Sequence, residues 1–231
     1  MFYKDWELIY EKIAEDFNFN VKNDIQSADI LNSLLKKDKK FYIKKLEDLI
    51  SGREVVVFGA GPSLESSIIK HKKKLDDKIK IVADGATSAL LKKNILPDII
   101  VTDLDGKVID QIEANSKGSL TIIHAHGDNT SNIKKYVPEF KGDIIGTTQI
   151  DPKNYENIYN FGGFTDGDRA IYLADHFHAK KIYLIGFDFK GVIGKYSFSE
   201  NKDKKQKLKK LKWCKYLIEL LKKNRNNIYI L

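Results

Sequence analysis

This 231-residue chain contains one cysteine, Cys214, has no apolar run of membrane-spanning length, and shows neither an internal repeat nor a low-complexity linker. A lone cysteine excludes an internal disulfide framework and a cysteine-built zinc site. Without a long apolar run no membrane-spanning helix is expected. The opening MFYKDWELIY lacks the charged-then-apolar order of a secretory signal, so a cytoplasmic protein is the expectation. The length admits one large domain, or one with a small appendage. Hydrophobic residues at 42% and aromatic residues at 11% suffice for a packed core.

Acidic residues are outnumbered, 32 against 40 Lys and Arg, for a net charge of +8. A basic balance admits a nucleic-acid partner. The lysines, however, are spread through segments with helical spacing, and a polyphosphate cleft needs only a few of them. Charge alone does not choose between these.

Residues 1 to about 50 read as helices. Trp6, Ile9, Ile13 and Phe17 fall on one stripe. Ser27 suits the cap of a helix carrying Ile30, Leu31, Leu34 and Leu35, and a third helix from Lys39 to Ile50 stops at Ser51-Gly52. Residues 1–52 are therefore expected as a helical appendage to an α/β domain over 53–231.

From Glu54 the period changes. Short branched apolar runs alternate with helical segments: 55–58, 79–83, 99–101, 120–123, 143–146 and 181–185, with a last run at 227–231. Runs apolar on both faces suit buried parallel strands. The fold class expected is α/β, a Rossmann-like, mostly parallel sheet flanked by helices. Successive runs end at Gly59, Asp84, Asp103, His126 and Asp188. Such a sheet binds ligands at the carboxyl ends of its strands, so one cleft is expected there.

The central stretch, Ile79 to Gly106, carries the strongest signal. One strand stops at Asp84 and the next at Thr102-Asp103-Leu104-Asp105-Gly106. Carboxylates converging at neighbouring strand ends repel one another unless a cation lies between them, and Mg²⁺ takes such oxygens as ligands. Aspartates also serve as turn and N-cap residues.

Other strand ends add candidates. Gly59-Ala60-Gly61-Pro62-Ser63 between strand and helix resembles a phosphate turn, yet it is neither a dinucleotide fingerprint nor a Walker loop, and a ligand-free tight turn reads equally well. His124 and His126 stand two apart on one strand and point the same way, so a zinc pair is one reading. No third nitrogen or sulfur ligand is near in sequence; His126 and Asp128 suit a phosphate or substrate pocket, and His124 suits the core. Thr147, Thr148 and Gln149 offer uncharged groups for the edge of a heterocycle, or form an exposed turn. Phe161 and Phe164 either sandwich a flat ring or pack. Asp166 and Asp168 add negative charge, and Arg169 either pairs with them or reaches a phosphate. Lys190 to Lys202 reads as a mobile loop, followed by a lysine-faced helix to Lys223 that is either solvated or folded over a triphosphate.

Ala83-Asp84-Gly85-Ala86 followed by Pro97-Asp98-Ile99-Ile100-Val101-Thr102-Asp103-Leu104-Asp105 resembles the signature of thiamin pyrophosphokinases, with Thr102 replacing a glycine and Gly106 a serine. Together with the turn at 59–63 and the blocks at 124–129 and 161–169, the pattern is more similar to the archaeal 6-hydroxymethyl-7,8-dihydropterin pyrophosphokinases, over roughly residues 1 to 190. That resemblance implies a thiamin pyrophosphokinase-like fold and Mg²⁺- and ATP-dependent transfer of diphosphate to the pterin hydroxymethyl group, releasing AMP. On that basis Asp103 and Asp105 would hold Mg²⁺ with Asp84 as a further ligand. Gly59, Gly61, Pro62, Ser63, His126 and Asp128 would meet the phosphates, and Arg169 would balance charge. Thr147, Thr148, Gln149, Phe161, Phe164, Asp166 and Asp168 are left for the acceptor, with Asp166 or Asp168 also open to a second Mg²⁺. The implied partners are ATP and a pterin alcohol, without nucleic acid or membrane, and a homodimer is admitted. Competing expectations are thiamin pyrophosphokinase, a nucleotide-sugar glycosyltransferase whose Asp-x-Asp holds a metal, and a basic nucleic-acid-binding module.

Overall fold

The computed structural model describes residues 3–35, 39–197 and 203–231. The chain opens with three helices, α1 (Tyr3–Phe17), α2 (Val21–Leu34) and α3 (Lys39–Ile50). The stripe on α1 is buried as expected at Trp6 and Ile13, with Tyr10 beside them. Asn20, not Ser27, caps α2: its side chain accepts from the Lys22 amide at 3.1 Å. Ser27 lies inside the helix, buried, and donates to the His126 carbonyl at 2.6 Å. A short hydroxyl residue fits that inner face because it finds partners across a tight helix–sheet contact.

Strands and helices then alternate: β1 (Glu54–Phe58), α4 (Leu64–His71), β2 (Ile79–Ala83), α5 (Ala86–Leu91), β3 (Ile99–Thr102), α6 (Val108–Ser116), β4 (Leu120–Ala125), α7 (Thr130–Tyr136), β5 (Ile144–Thr148), the two-residue β6 (Ile158–Tyr159), α8 (Asp166–His176), β7 (Lys181–Ile185), α9 (Lys204–Lys223) and β8 (Ile228–Ile230). The eight strands make one parallel sheet in the order β6-β5-β4-β3-β2-β1-β7-β8.

Strand alternation divides the interior into two layers. Val55 and Val57 face a core shared with Trp6, Ile13, Leu31, Leu46 and α8, whereas Val56 and Phe58 face one built from α4 and α5. The three N-terminal helices thus share a core with the sheet. Helix α8 crosses the middle of that face, against β1, β2, β3 and β7, and its residues from Asp168 to Asp175 are all buried.

The chain runs steadily from β1 to β6 on one side, then returns to place β7 on the far side of β1. Two adjacent strands whose connections leave in opposite directions open a crevice at their carboxyl ends. The stretch expected as mobile from Lys190 is anchored as far as Ser197: Tyr196 is buried and donates to Glu65 Oε1 at 2.7 Å. Residues 198–202 lie outside those described. Among the described residues no helix is long and apolar enough to cross a membrane.

Candidate active site

Asp84 leaves β2 with φ +40°, Asp103 leaves β3, and Asp166 opens α8. One oxygen from each of these carboxylates lies within 4.8 Å of the other two. Asp105 does not join them: Leu104, at φ +65°, turns its side chain into the core and leaves Asp105 exposed at the cavity rim. The acids that gather are thus Asp84, Asp103 and Asp166, where the sequence suggested Asp84, Asp103 and Asp105. Strand spacing cannot reveal this, because Asp166 comes from a helix more than sixty residues further on.

Asp168, expected to face the substrate, instead caps α8. It is fully buried and accepts from the Thr165 amide at 2.9 Å and the Phe164 amide at 2.5 Å. A capping box of this kind holds the helix entry rigid, and it aims Asp166 and the positive end of the helix dipole at the other acids.

The three carboxyls titrate differently. Burial, then repulsion from Asp105 and Asp103, push Asp84 up to about 7, despite donors from Gln111 and Thr102. Burial, then the charge of Asp103, raise Asp166 well above the usual carboxylate range. Burial works in the same sense on Asp103, but the hydrogen bond and charge of His126, with Lys210 and Arg169, outweigh it and hold that group low; His126 Nε2 lies 3.3 Å from Asp103 Oδ2. Three crowded oxygen donors without nitrogen or sulfur suit a hard divalent cation such as Mg²⁺. The zinc pair is not assembled: among the described residues the ligand cluster is Asp84, Asp103 and Asp166, with neither histidine in it. His124 is buried with its Nδ1 on Thr147 Oγ1 at 3.1 Å; burial holds its pKa well below the ordinary value.

A cavity of about 350 Å³ opens over these acids and extends both ways along the strand ends. Toward β4 and β5 its wall holds His126, Asp128, Gln149 and Phe164, together with Phe19, Asn20, Asn23 and Asp24 from the α1–α2 corner. Those last four carry no motif and sequence reasoning missed them. Asp24 is buried and accepts from the Gly127 amide at 2.7 Å, from Gln149 Nε2 at 3.0 Å and from the Tyr10 hydroxyl. Asn129, also missed, ties the strand ends together, donating from Nδ2 to the carbonyls of Asp103 at 2.8 Å and His124 at 2.6 Å.

Toward β1 and β7 the wall holds Gly59, Ala60, Gly61, Gly186, Phe187, Asp188 and Phe189. Pro62 and Ser63, the rest of this turn, are not among the residues lining the cavity. Three of the turn's amides are committed within the protein: Gly59 to the Ile185 carbonyl at 2.8 Å, Gly61 to Gly186 at 2.9 Å, and Ser63 to Asp188 Oδ2 at 3.0 Å. Arg169 borders the cavity with Nη1 at 3.1 Å from Asp166 Oδ1.

Thr147, Thr148 and Phe161 are not brought to this cavity. They line a void of about 10 Å³ on the other side of Arg169, and Phe161 stacks at 5.6 Å on Tyr159 and meets the rings of His176 and Phe177. Phe164 sits instead with Phe17 and Phe19, at 5.3 and 6.2 Å. The Phe161–Phe164 ring sandwich is therefore not assembled; two positive-φ glycines, Gly162 and Gly163, separate the two side chains.

The sequence model of a family described as "6-hydroxymethylpterin diphosphokinase MptE-like" matches residues 30–193. The chain belongs to this family. It is 48% identical over 230 residues to the 6-hydroxymethyl-7,8-dihydropterin pyrophosphokinase of Methanocaldococcus jannaschii, covering 95% of each chain. It is 43% identical over 228 residues to the protein of the same name from Pyrococcus furiosus, 97% of this chain and 96% of that one. The Methanothermobacter thermautotrophicus protein, again of that name, is 44% identical over 193 residues, 83% and 81% of the two chains. Among solved structures, the Maf glycosyltransferase of Magnetospirillum magneticum is similar at a TM-score of 0.43 and 17% identity, over 71% of this chain and 28% of that one, too slight a likeness to bear on function. The segment matched by the MptE-like family contains all three clustered acids, whereas Asp24 and the lysines of α9 lie outside it.

Proposed function

We propose that this MptE-like protein transfers diphosphate from ATP to the hydroxymethyl group of 6-hydroxymethyl-7,8-dihydropterin, with Mg²⁺, and releases AMP, a step toward tetrahydromethanopterin or folate-type cofactors. The observation that carries the reading is the cluster Asp84, Asp103 and Asp166 on the cavity floor, in a chain 43–48% identical to three proteins bearing that activity in their names.

In this reaction the alcohol oxygen attacks the β-phosphorus in line while the bridge to the α-phosphorus breaks, so catalysis rests on positioning and charge neutralisation. Asp84, Asp103 and Asp166 would hold Mg²⁺, which when bound offsets the charge of the phosphate oxygens. Arg169, braced by Asp166, and Lys210 on the cavity wall supply fixed positive charge beside the same place. His126 orients Asp103 and keeps it ionised. The proposal includes no nucleic-acid partner: the lysine-rich α9 is tied to the N-terminal corner, with Lys209 and Trp213 both on Asp16 at 2.9 and 2.8 Å.

An acceptor screen with ATP and Mg²⁺, scored by AMP formed, tests this. AMP should appear with the pterin alcohol and not with thiamin. Release with thiamin alone, or with neither, would overturn the proposal.

A further inference from the structure

The crevice between β1 and β7 is shaped like an anion site but is already filled by an anion of the protein. Asp188 reaches back from the end of β7 to the start of α4, and its Oδ2 accepts from both the amide and the hydroxyl of Ser63, at 3.0 and 2.7 Å. With the Gly59 amide donated to the last carbonyl of β7, Ile185, and the Gly61 amide to that of Gly186 just after it, this turn has a carboxylate on the Ser63 amide where a phosphate cradle would place its anion. A polyphosphate placed here would meet like charge. Of the cationic groups on the cavity wall, Arg169 is on Asp166, Lys210 stands 6.0 Å over the Phe164 ring and helps to hold Asp103 low, and Lys207 donates to the Ser197 carbonyl at 2.7 Å.

This part of the cavity suits a flat neutral ring. Phe187 and Phe189 line it with centroids 6.5 Å apart, and Val192 and Ile193 extend the apolar wall. Asp188 also lines it, and Oδ1 takes no hydrogen bond among the described residues. A carboxylate oxygen with free lone pairs calls for a donor. Its place is rigid: Gly186, at φ +73°, brings β7 so close to β1 that a Cβ there would stand 2.2 Å from the Gly59 carbonyl oxygen. A pterin carries a ring N–H beside an exocyclic amino group, two donors on one edge. Adenine has no such pair, since a ring acceptor stands beside its amino group.

We infer that Asp188 is a specificity-determining residue for the acceptor: the β1–β7 side takes the pterin ring, its N–H and amino group donating to the Asp188 carboxylate, and the nucleotide extends from the acid cluster toward β4 and β5. This rests on the proposed pterin reaction. It replaces the expectation that Gly59 to Ser63 cradle phosphate.

The test is Asp188→Asn, which retains an acceptor for Ser63 and turns a donor toward the ring. Without nucleotide, binding of 6-hydroxymethyl-7,8-dihydropterin, read by its intrinsic fluorescence, should weaken ten- to a hundredfold, with KM for the pterin rising alike and KM for ATP moving less than twofold. A rise in KM for ATP with unchanged pterin binding would assign the crevice to the nucleotide and overturn the inference. No change in either would reduce Asp188 to a cap of α4. A second measurement needs no variant: the wild-type protein should bind the acceptor at least tenfold more tightly than an analogue with oxygen in place of the amino group, and equal binding would overturn the inference. If the wild type releases no AMP with the pterin alcohol, the proposed reaction itself fails; if it does so while both binding tests are flat, only the role of Asp188 fails.

Discussion

Gln111 and Asp84 meet at 2.8 Å, Nε2 of a fully buried amide on α6 donating to Oδ1 of the carboxylate at the end of β2. The same oxygen accepts from Thr102 Oγ1 at 3.0 Å and the Gly106 amide at 3.2 Å. Neutral donors thus fix the orientation of Asp84 without cancelling its charge, and that charge remains for a cation. Gly106 makes the approach possible, since a Cβ there would fall 2.4 Å from Asp84 Oδ2.

Replacing Gln111 by Leu should therefore loosen the ion without unfolding the chain. Loss of a hydrogen bond behind a metal ligand usually costs about 10–100-fold in affinity. The Mg²⁺ concentration giving half-maximal AMP release should rise by that factor, with the circular dichroism spectrum unchanged. An unaltered Mg²⁺ dependence would make Gln111 a packing residue.

The acids should separate by position. Asp103→Asn and Asp166→Asn should each lower AMP release by about a hundredfold or more, a loss of roughly 2.7 kcal/mol of transition-state stabilisation. Asp105→Asn, at the rim, should cost about tenfold or less. Turnover rates in purified, folded variants decide this, and equal losses at 103 and 105 would return Asp105 to the cluster.

Metal binding should release protons. Asp84 titrates near 7 and Asp166 is raised as well, so a cation must displace protons below about pH 7. Apparent Mg²⁺ affinity should fall with pH there, by up to about tenfold per unit for each proton displaced. Calorimetry in buffers of different ionisation enthalpy counts them. In the metal-free protein the folded pKa of Asp84 lies above its unfolded value of 3.8, so this group favours folding least when ionised. Its contribution should decline as pH rises from about 4 through about 7; Asp84→Asn should remove this group's share and leave that of Asp166, raised in the same sense, and Mg²⁺ should offset both. Asp103 has the opposite sign, stabilising above pH 3.8 and losing that only in stronger acid, outside this window.

Asp24→Ala should act on stability and on the site together. Three donors would lose their acceptor, at about 1–3 kcal/mol, or roughly 2–12 °C in Tm for a chain of this size. Differential scanning calorimetry reads the first effect. A raised KM for ATP would report the second, through displacement of Gly127 and Gln149.

Periodicity and punctuation disclosed much of this. Uninterrupted branched runs such as Val55–Phe58 and Ile99–Val101 have only one stable place, the interior of a parallel sheet, and an aspartate that halts such a run must emerge at its carboxyl end. The resemblance to the pterin pyrophosphokinases likewise lies in short local blocks, the turn at 59–63 and the segments 83–86, 97–105, 124–129 and 161–169, and the family match bears it out. Residues adjacent only through folding remained hidden. Gln111, Asn129 and Asp24 are ordinary polar residues until a helix brings each against a strand end, and Ser63 resembles a phosphate ligand until Asp188 takes its hydrogen bonds.

The order of apolar and polar residues along the chain, by itself, determined an α/β sheet with acids at its carboxyl edge, because strand and helix periods are local properties. Tertiary structure alone decided which acids meet. The cap of α8 delivers Asp166 to the cluster while the buried Leu104 turns Asp105 aside, and both outcomes depend on how distant segments pack, which no spacing along the chain encodes.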